Sequence, residues 1–206
     1  MDVDILFKKL KGIHTIETVM DSLGVTRKKA IYSIYRLRNE GYVKTKRLSD
    51  NKRVYNISFE NKLGGVSYTD VINSYTTFKI AEPKTHYIYG RKPSIEETLV
   101  HAISSGSLRK VIATLPLFNK LKNWSLLYRL AKDKGCERMI GALYDVTRKV
   151  MLTRKMPKRY KNNALPKKND AWQDIIPQLS SEDFKDIEVT WKVHIPFNKN
   201  DLEAYA

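Results

Sequence analysis

The chain has 206 residues, is 42% hydrophobic, and carries 38 Lys or Arg against 22 Asp or Glu, giving a formal charge of +16 and a pI near 9.8. That length suits one large domain or two small ones with a real core, while the absence of a run near the roughly 18 apolar residues of a membrane helix, or of a basic-then-apolar leader in MDVDILFKKLKGIHTIETVMDSLG, predicts a soluble, cytoplasmic protein with no membrane partner. The charge favours an anionic partner, nucleic acid first, because each Lys or Arg laid on phosphate releases condensed counterions.

In chain order, DVDILFKKLKG sets Val3, Ile5, Leu6 and Leu10 at helical spacing and stops at Gly12. HTIETVMDSLGV supplies Thr15 as a cap and gathers Ile16, Val19, Met20 and Leu23 on one face before Gly24. Thr26 caps a third helix running to about Glu40 and closed by Gly41. Its apolar stripe is Ala30, Ile31, Ile34 and Leu37, which turns Arg27, Lys28, Tyr32, Ser33 and Arg36 outward.

After Gly41 the period changes. YVKTKRL and RVYNISF have the β-branched and aromatic content of strands, with Val43, Val54, Ile57 and Phe59 apolar, and SDNK between them has the Asp-Asn pair of a hairpin turn. Three helices closed by a two-stranded hairpin over residues 1–62 is the plan of a winged helix, the first half of an α+β chain. Ten Lys or Arg lie between Thr26 and Arg53, against Glu40 and Asp50. Candidate contacts to double-stranded DNA are Thr26, Arg27, Lys28, Lys29, Tyr32, Ser33 and Arg36 on a recognition helix in the major groove, and Lys44, Lys46, Arg47, Asn51, Lys52 and Arg53 on the wing.

Residues 63–93 open on the Gly64-Gly65 pair as a linker, and VINSYTTFKIAEPKTHYIYGRKP is expected to form one or two short strands. From residue 94 to 206 a mainly helical domain is predicted. SIEETLVHAISSG carries a capping box at Ser94 and Glu97 with Ile95, Leu99, Ala102 and Ile103 buried. SLRKVIATLPLFNKL, WSLLYRLAKDKG and CERMIGALYDVTRKVM continue in helical period, and Trp124, Leu127, Tyr128 and Leu130 read as core.

Residues 154–168, RKMPKRYKNNALPKK, read as a basic surface arm of irregular structure. Nine Lys or Arg and no acid fall between Arg148 and Lys168. Arg154, Lys155, Lys158, Arg159 and Lys161 there are a possible second nucleic-acid contact, with Tyr160 available for stacking. DIEVTWKVHIPF alternates Ile187, Val189, Trp191, Val193 and Ile195 on one face, a strand able to pair with the earlier β segment. Asn169–Ala206 inverts the charge, with eight carboxylates against three lysines, and can fold back on a basic surface, meet a partner, or stand as a solvated edge.

Catalytic motifs do not emerge. GGVS lacks the lysine of a phosphate-binding loop, no serine stands in a nucleophile elbow, and the adjacent Glu96 and Glu97 point apart on a helix. Cys136 cannot form an internal disulfide, and His14, His86, His101 and His194 are too scattered for zinc spacing. Neither an enzyme nor a cofactor or metal is expected.

The Thr15–Phe59 region with VTRKKAIYSIYRLRNEGYV, and the downstream KPSIEETLVHAISSG, together resemble the AbiEi-type antitoxin and transcriptional regulator family in an archaeal-looking version. The second block is similar to the family's SPERTLVDAL-like segment, with His101 where the family often has Asp, and the likeness covers about residues 2–150. The resemblance implies a DNA-binding antitoxin that represses its own operon and offsets a nucleotidyltransferase-like toxin, with a toxin or a homodimer mate as protein partner. Two other readings of the residues stay open: an RNA-binding or ribonucleoprotein component using the arm and the wing, and a protein-docking module with a basic surface.

Overall fold

The computed structural model describes residues 2–82 and 87–203, a mixed α+β chain dominated by helix with small sheets. It divides into two compact units, Met1–Ser67 with His86–Lys92, and Tyr68–Thr85 with Pro93–Ala206. Among the described residues no helix is long and apolar enough to cross a membrane.

The first unit contains helices α1 (Val3–Leu10), α2 (Ile16–Leu23) and α3 (Arg27–Asn39) and strands β1 (Gly12–His14), β2 (Val43–Arg47), β3 (Arg53–Ile57), β4 (Val66–Ser67) and β5 (Tyr87–Ile88). Local chemistry fixes the helix ends. Asp2 accepts from the Val3 amide at 2.6 Å, Thr15 and Thr18 form a reciprocal capping box, and Gly24 ends α2 in the left-handed region at φ 62°. The three helices bury Leu6, Leu10, Ile16, Val19, Ala30, Ile34 and Leu37 against Val43, Tyr55 and Ile57 of the sheet. Truncating a side chain as enclosed as Leu37 costs about 2–5 kcal/mol.

The sheet has three strands rather than the expected two. β1 pairs antiparallel with β3, Gly12 opposite Ile57 and His14 opposite Tyr55, giving the order β1-β3-β2. Gly12, at φ 124°, begins this strand, and three residues are too few for a period of two to show. At the exit of β3, the buried Asn61 donates to the Tyr42 carbonyl at 2.8 Å and the Asn56 carbonyl at 2.9 Å. The stretch from residue 63, expected as a linker with a short β segment, holds two short strands, β4 pairing with β5 through Val66–Ile88 and Ser67–Tyr87.

The second unit holds α4 (Tyr68–Tyr75), α5 (Ile95–Ser104), α6 (Leu108–Thr114), α7 (Trp124–Asp133), α8 (Glu137–Val150), α9 (Lys158–Ala164), α10 (Lys185–Trp191) and α11 (Lys199–Glu203), with strands β6 (Gln173–Asp174) and β7 (Val193–His194). The Ser94–Glu97 capping box opens α5 as the sequence predicts, at 2.9 and 3.1 Å. The core gathers on α8, where Ile140, Leu143, Tyr144 and Val146 pack with Leu99, Leu127 and Trp191.

Two strand expectations are corrected, the first only in part, since β5 lies within its stretch. The VINSY segment is the helix α4, because Val71 and Ile72 are both buried, Ile72 in a cluster with Ile80, Ala102 and Ala113. Tertiary packing overrides its β-branched content; residues 83–86 of that stretch lie outside the described residues. DIEVTW is α10: Ile187 and Trp191 are buried one turn apart while Val189 between them is 68% exposed. The short strand that follows pairs in parallel with β6, not with the earlier β segment.

Candidate nucleic-acid interface

Helix α3 sets the geometry. At 100° per residue, the buried Ala30, Ile34 and Leu37 fall within about 60° of one another, and Ile31 falls outside that arc. Ile31 is accordingly 51% exposed, a correction to the expected apolar stripe. On the outward ridge Lys28, Tyr32 and Tyr35 are exposed, the two tyrosine rings 6.4 Å apart and nearly parallel, with Arg36 half-buried beside them. Ser33, expected to face outward as a hydrogen bonder, is half-buried and donates to the Lys29 carbonyl at 3.0 Å. Thr26 is the N-cap by backbone conformation, and its hydroxyl makes no capping bond.

The hairpin sorts its cations by strand parity. Thr45 and Arg47 alternate with Lys44 and Lys46, and the ladder pairs Thr45 with the buried Tyr55 and Arg47 with Arg53. Arg47 and Arg53 therefore lie on the sheet face that carries the core, while Lys44 and Lys46 lie on the opposite face with Val54 and Asn56. The predicted wing cations are not one patch but two. At the tip, the Leu48 amide donates to the Lys52 carbonyl at 2.9 Å, the Lys52 amide donates to Asp50 Oδ1 at 3.1 Å, and Asn51 takes φ 63°. The Lys52 amide, followed by its ammonium, holds the Asp50 carboxyl below its usual range.

Helix and hairpin meet in a groove of about 380 Å³, lined by Arg27 and Ile31 from α3, Asn51, Lys52, Arg53 and Tyr55 from the hairpin, and Thr15, Ile16 and Glu17 from the start of α2. Of the predicted contacts, Arg27, Asn51, Lys52 and Arg53 are thus brought together. Lys28 and Tyr32 stand on the ridge and Lys29 on its far flank. Glu17 is a member sequence reasoning missed: its carboxylate accepts from Arg27 Nη1 at 2.9 Å, both side chains well exposed. Its own backbone N–H, and then Arg27, hold this carboxyl below the ordinary range. An ion pair this exposed is weak, so the carboxylate holds Arg27 only loosely.

A second, wider groove of about 700 Å³ lies at the other end of α3, lined by Arg38, Val43, Lys44, Thr45, Arg53, Tyr89, Gly90 and Arg91. Arg38 is held toward it by donating from Nη2 to Thr45 Oγ1 at 2.7 Å. Arg38, Tyr89 and Arg91 were absent from the candidate contacts. For Arg91 no local signal exists, since only the fold brings residue 91 to residue 38.

No family model, curated protein or solved structure matches the chain.

The expected second contact changes character. The arm is not irregular: it is pinned at its start by Tyr144, whose hydroxyl donates to the Arg154 carbonyl at 2.8 Å and accepts from the Met156 amide at 2.7 Å, and then forms α9. Arg154, Lys155, Lys158, Arg159 and Lys161 are exposed. Tyr160 is not available for stacking. It is 3% exposed, packed edge-on to Trp124 and Tyr128, and donates its hydroxyl to the Glu137 carbonyl at 3.1 Å; burial pushes its phenol well above the usual value. Several carboxylates of the acidic tail are engaged within the second unit: Asp183 and Asp201 accept from the amides of Lys199 and Asn198, Glu188 accepts from the Ile195 amide, and Asp186 meets Lys149 at 2.8 Å.

Proposed function

We propose that the first unit is a winged helix that binds double-stranded DNA, and that the chain is a sequence-specific transcriptional regulator acting in the cytoplasm by binding rather than catalysis. The observation that carries this reading is the shared groove: Arg27 at the start of α3 and Asn51, Lys52 and Arg53 of the hairpin line one cleft, beside a ridge presenting Lys28, Tyr32, Tyr35 and Arg36. A helix of these dimensions enters the major groove, where Arg and Lys reach guanine edges. The hairpin cations then lie along the phosphates, fixing register without reading sequence.

The narrower form follows the family resemblance: an antitoxin that represses its own operon and pairs with a toxin or a second copy through the helical second unit. The test is selection of fragments of the source genome on the purified full chain at about 0.15 M salt, where weak backbone-only binding is largely screened. Enrichment of one inverted repeat upstream of its own gene is the expected result. Enrichment of nothing sinks the regulator reading.

One observation favours RNA as the rival ligand, namely the five exposed cations on and just before α9. It predicts that structured RNA outcompetes duplex DNA at matched salt and that charge reversal on α9 abolishes the advantage.

A further inference from the structure

The wider groove at the C-terminal end of α3 gathers three guanidinium-bearing residues, Arg38, Arg53 and Arg91, from three separate segments of the first unit, with Lys44 also lining it from β2, and among the described residues no carboxylate lines it. We infer that this groove is a second phosphate-binding cradle, and that it carries the sugar-phosphate backbone of the nucleic acid past the helix and hairpin; the identity of that strand as DNA rests on the regulator reading above.

Three features separate the cradle from a merely solvated basic face. The first is construction. Arg91 is remote in sequence and is delivered by a built device: β5 pairs with β4, and the next residue, Tyr89, lays its ring over Gly41 and Gly65, so closely that a methyl group on Gly41 would sit 2.5 Å from it and one on Gly65 2.6 Å. The second is preorganisation. The Arg38 guanidinium is already clamped to Thr45 at 2.7 Å, so less side-chain freedom is lost when it takes an anion. The third is continuity. Arg53 lines both this groove and the narrower one beside Arg27, so a single extended polyanion can pass from one to the other. A small anion would need only one of them, and three guanidinium groups match phosphate oxygens in paired hydrogen bonds better than they match an ordinary surface counterion.

Two measurements decide it. Titrating the isotopically labelled full chain with inorganic pyrophosphate should give saturable shifts of the Thr45, Gly90 and Arg91 amides, weakened several-fold by Arg38→Ala or Arg91→Ala and unaltered by Lys28→Ala. No shift, or shifts equally strong around Lys28 and Lys158, overturns the cradle whatever the chain does with DNA. On a bound duplex, Arg91→Ala should reduce the slope of log K against log salt by about 0.9, the loss of one phosphate contact. An unchanged slope, with Arg27→Ala still weakening binding, overturns the use of the cradle on DNA and leaves the regulator reading standing. A wild-type chain that ignores duplex sinks the regulator reading instead, and the pyrophosphate result still judges the cradle.

Discussion

Arg47 and Arg53 stand directly opposite each other across the β2–β3 ladder, on the face that carries the buried Tyr55. Like charges in that position destabilise a sheet by about 0.2–1 kcal/mol. Arg53→Thr should therefore raise the stability of the ligand-free protein by a few tenths of a kcal/mol at low salt, and the gain should fade at high salt as screening removes the repulsion. The same substitution should weaken duplex binding. Urea denaturation at two ionic strengths checks the first part, and a loss of stability at low salt would contradict it.

Glu17 occupies Arg27 in the free protein. Glu17→Gln removes the competing charge and should tighten duplex binding several-fold, chiefly at low salt, while Glu17→Gln combined with Arg27→Ala should show no such gain. A fluorescence anisotropy titration of the wild type, Glu17→Gln, Arg27→Ala and the double variant separates these outcomes. Weaker binding by the single Gln variant would mean that Glu17 positions Arg27 rather than restrains it.

The ridge of α3 mixes two kinds of contact that salt can tell apart. Lys28→Ala should lower affinity and reduce the salt slope by about 0.9, whereas Tyr32→Ala should lower affinity for the selected site and leave the slope alone, because an aromatic contact releases no counterion. Tyr32 is 62% exposed, so its removal should leave the melting temperature close to that of the wild type. Equal slopes for both variants would place Lys28 off the phosphate backbone.

Gly41 combines φ 84° with a Tyr89 ring that would lie 2.5 Å from any Cβ placed there. Gly41→Ala meets both a left-handed backbone and a steric clash, and should cost about 1–3 kcal/mol. The double variant Gly41→Ala, Tyr89→Ala should lose less than the sum of the two single changes, since the clash is then gone. Denaturation midpoints of the wild type and the three variants test this, and strict additivity would show that the ring does not press on Gly41.

Burial pushes the Cys136 thiol up to about 11. The folded value lies above the unfolded one, near 8.5, so the fold favours the neutral thiol. That contribution is complete below the unfolded value and is lost as pH rises through about 11. Tyr160, raised in the same direction, adds to the alkaline loss. Stability should fall between pH 9 and pH 11, less steeply in Cys136→Ala, and at pH 8 the folded protein should react with a thiol reagent far more slowly than the unfolded chain.

What could be read from the residues was what local chemistry decides. Thr15, Gly24, Ser94 and Glu97 announce helix ends because their side chains or backbone bond within a turn of themselves. The change of period after Gly41 announces β2 and β3. Positions settled by distant partners were not legible. Ile187 and Trp191 satisfy a period of two and a period of four equally, and only the exposure of Val189 tells them apart. The decision for helix comes from α8, where Gly141 leaves room for the Trp191 ring and Asp145 accepts from its indole N–H at 2.8 Å. Tyr160 reads as a stacking residue because its neighbours in sequence are cations; its neighbours in space are Trp124 and Tyr128. Charge alone groups Arg47 with Lys46, and the pleat separates them.

The stretch His86–Lys92 belongs with the first unit although Tyr68–Thr85 has already entered the second, so the polypeptide crosses between units three times. A fragment ending at residue 67 would keep every helix and strand of the helix-hairpin layout yet lack Tyr89, leaving Gly41 and Gly65 uncovered. The first unit is therefore not a cassette that recombination could exchange at a single crossover. A graft that keeps Tyr89 must carry residues 1–92, including helix α4 of the second unit, and that couples the inheritance of the two units more tightly than a simple linker would.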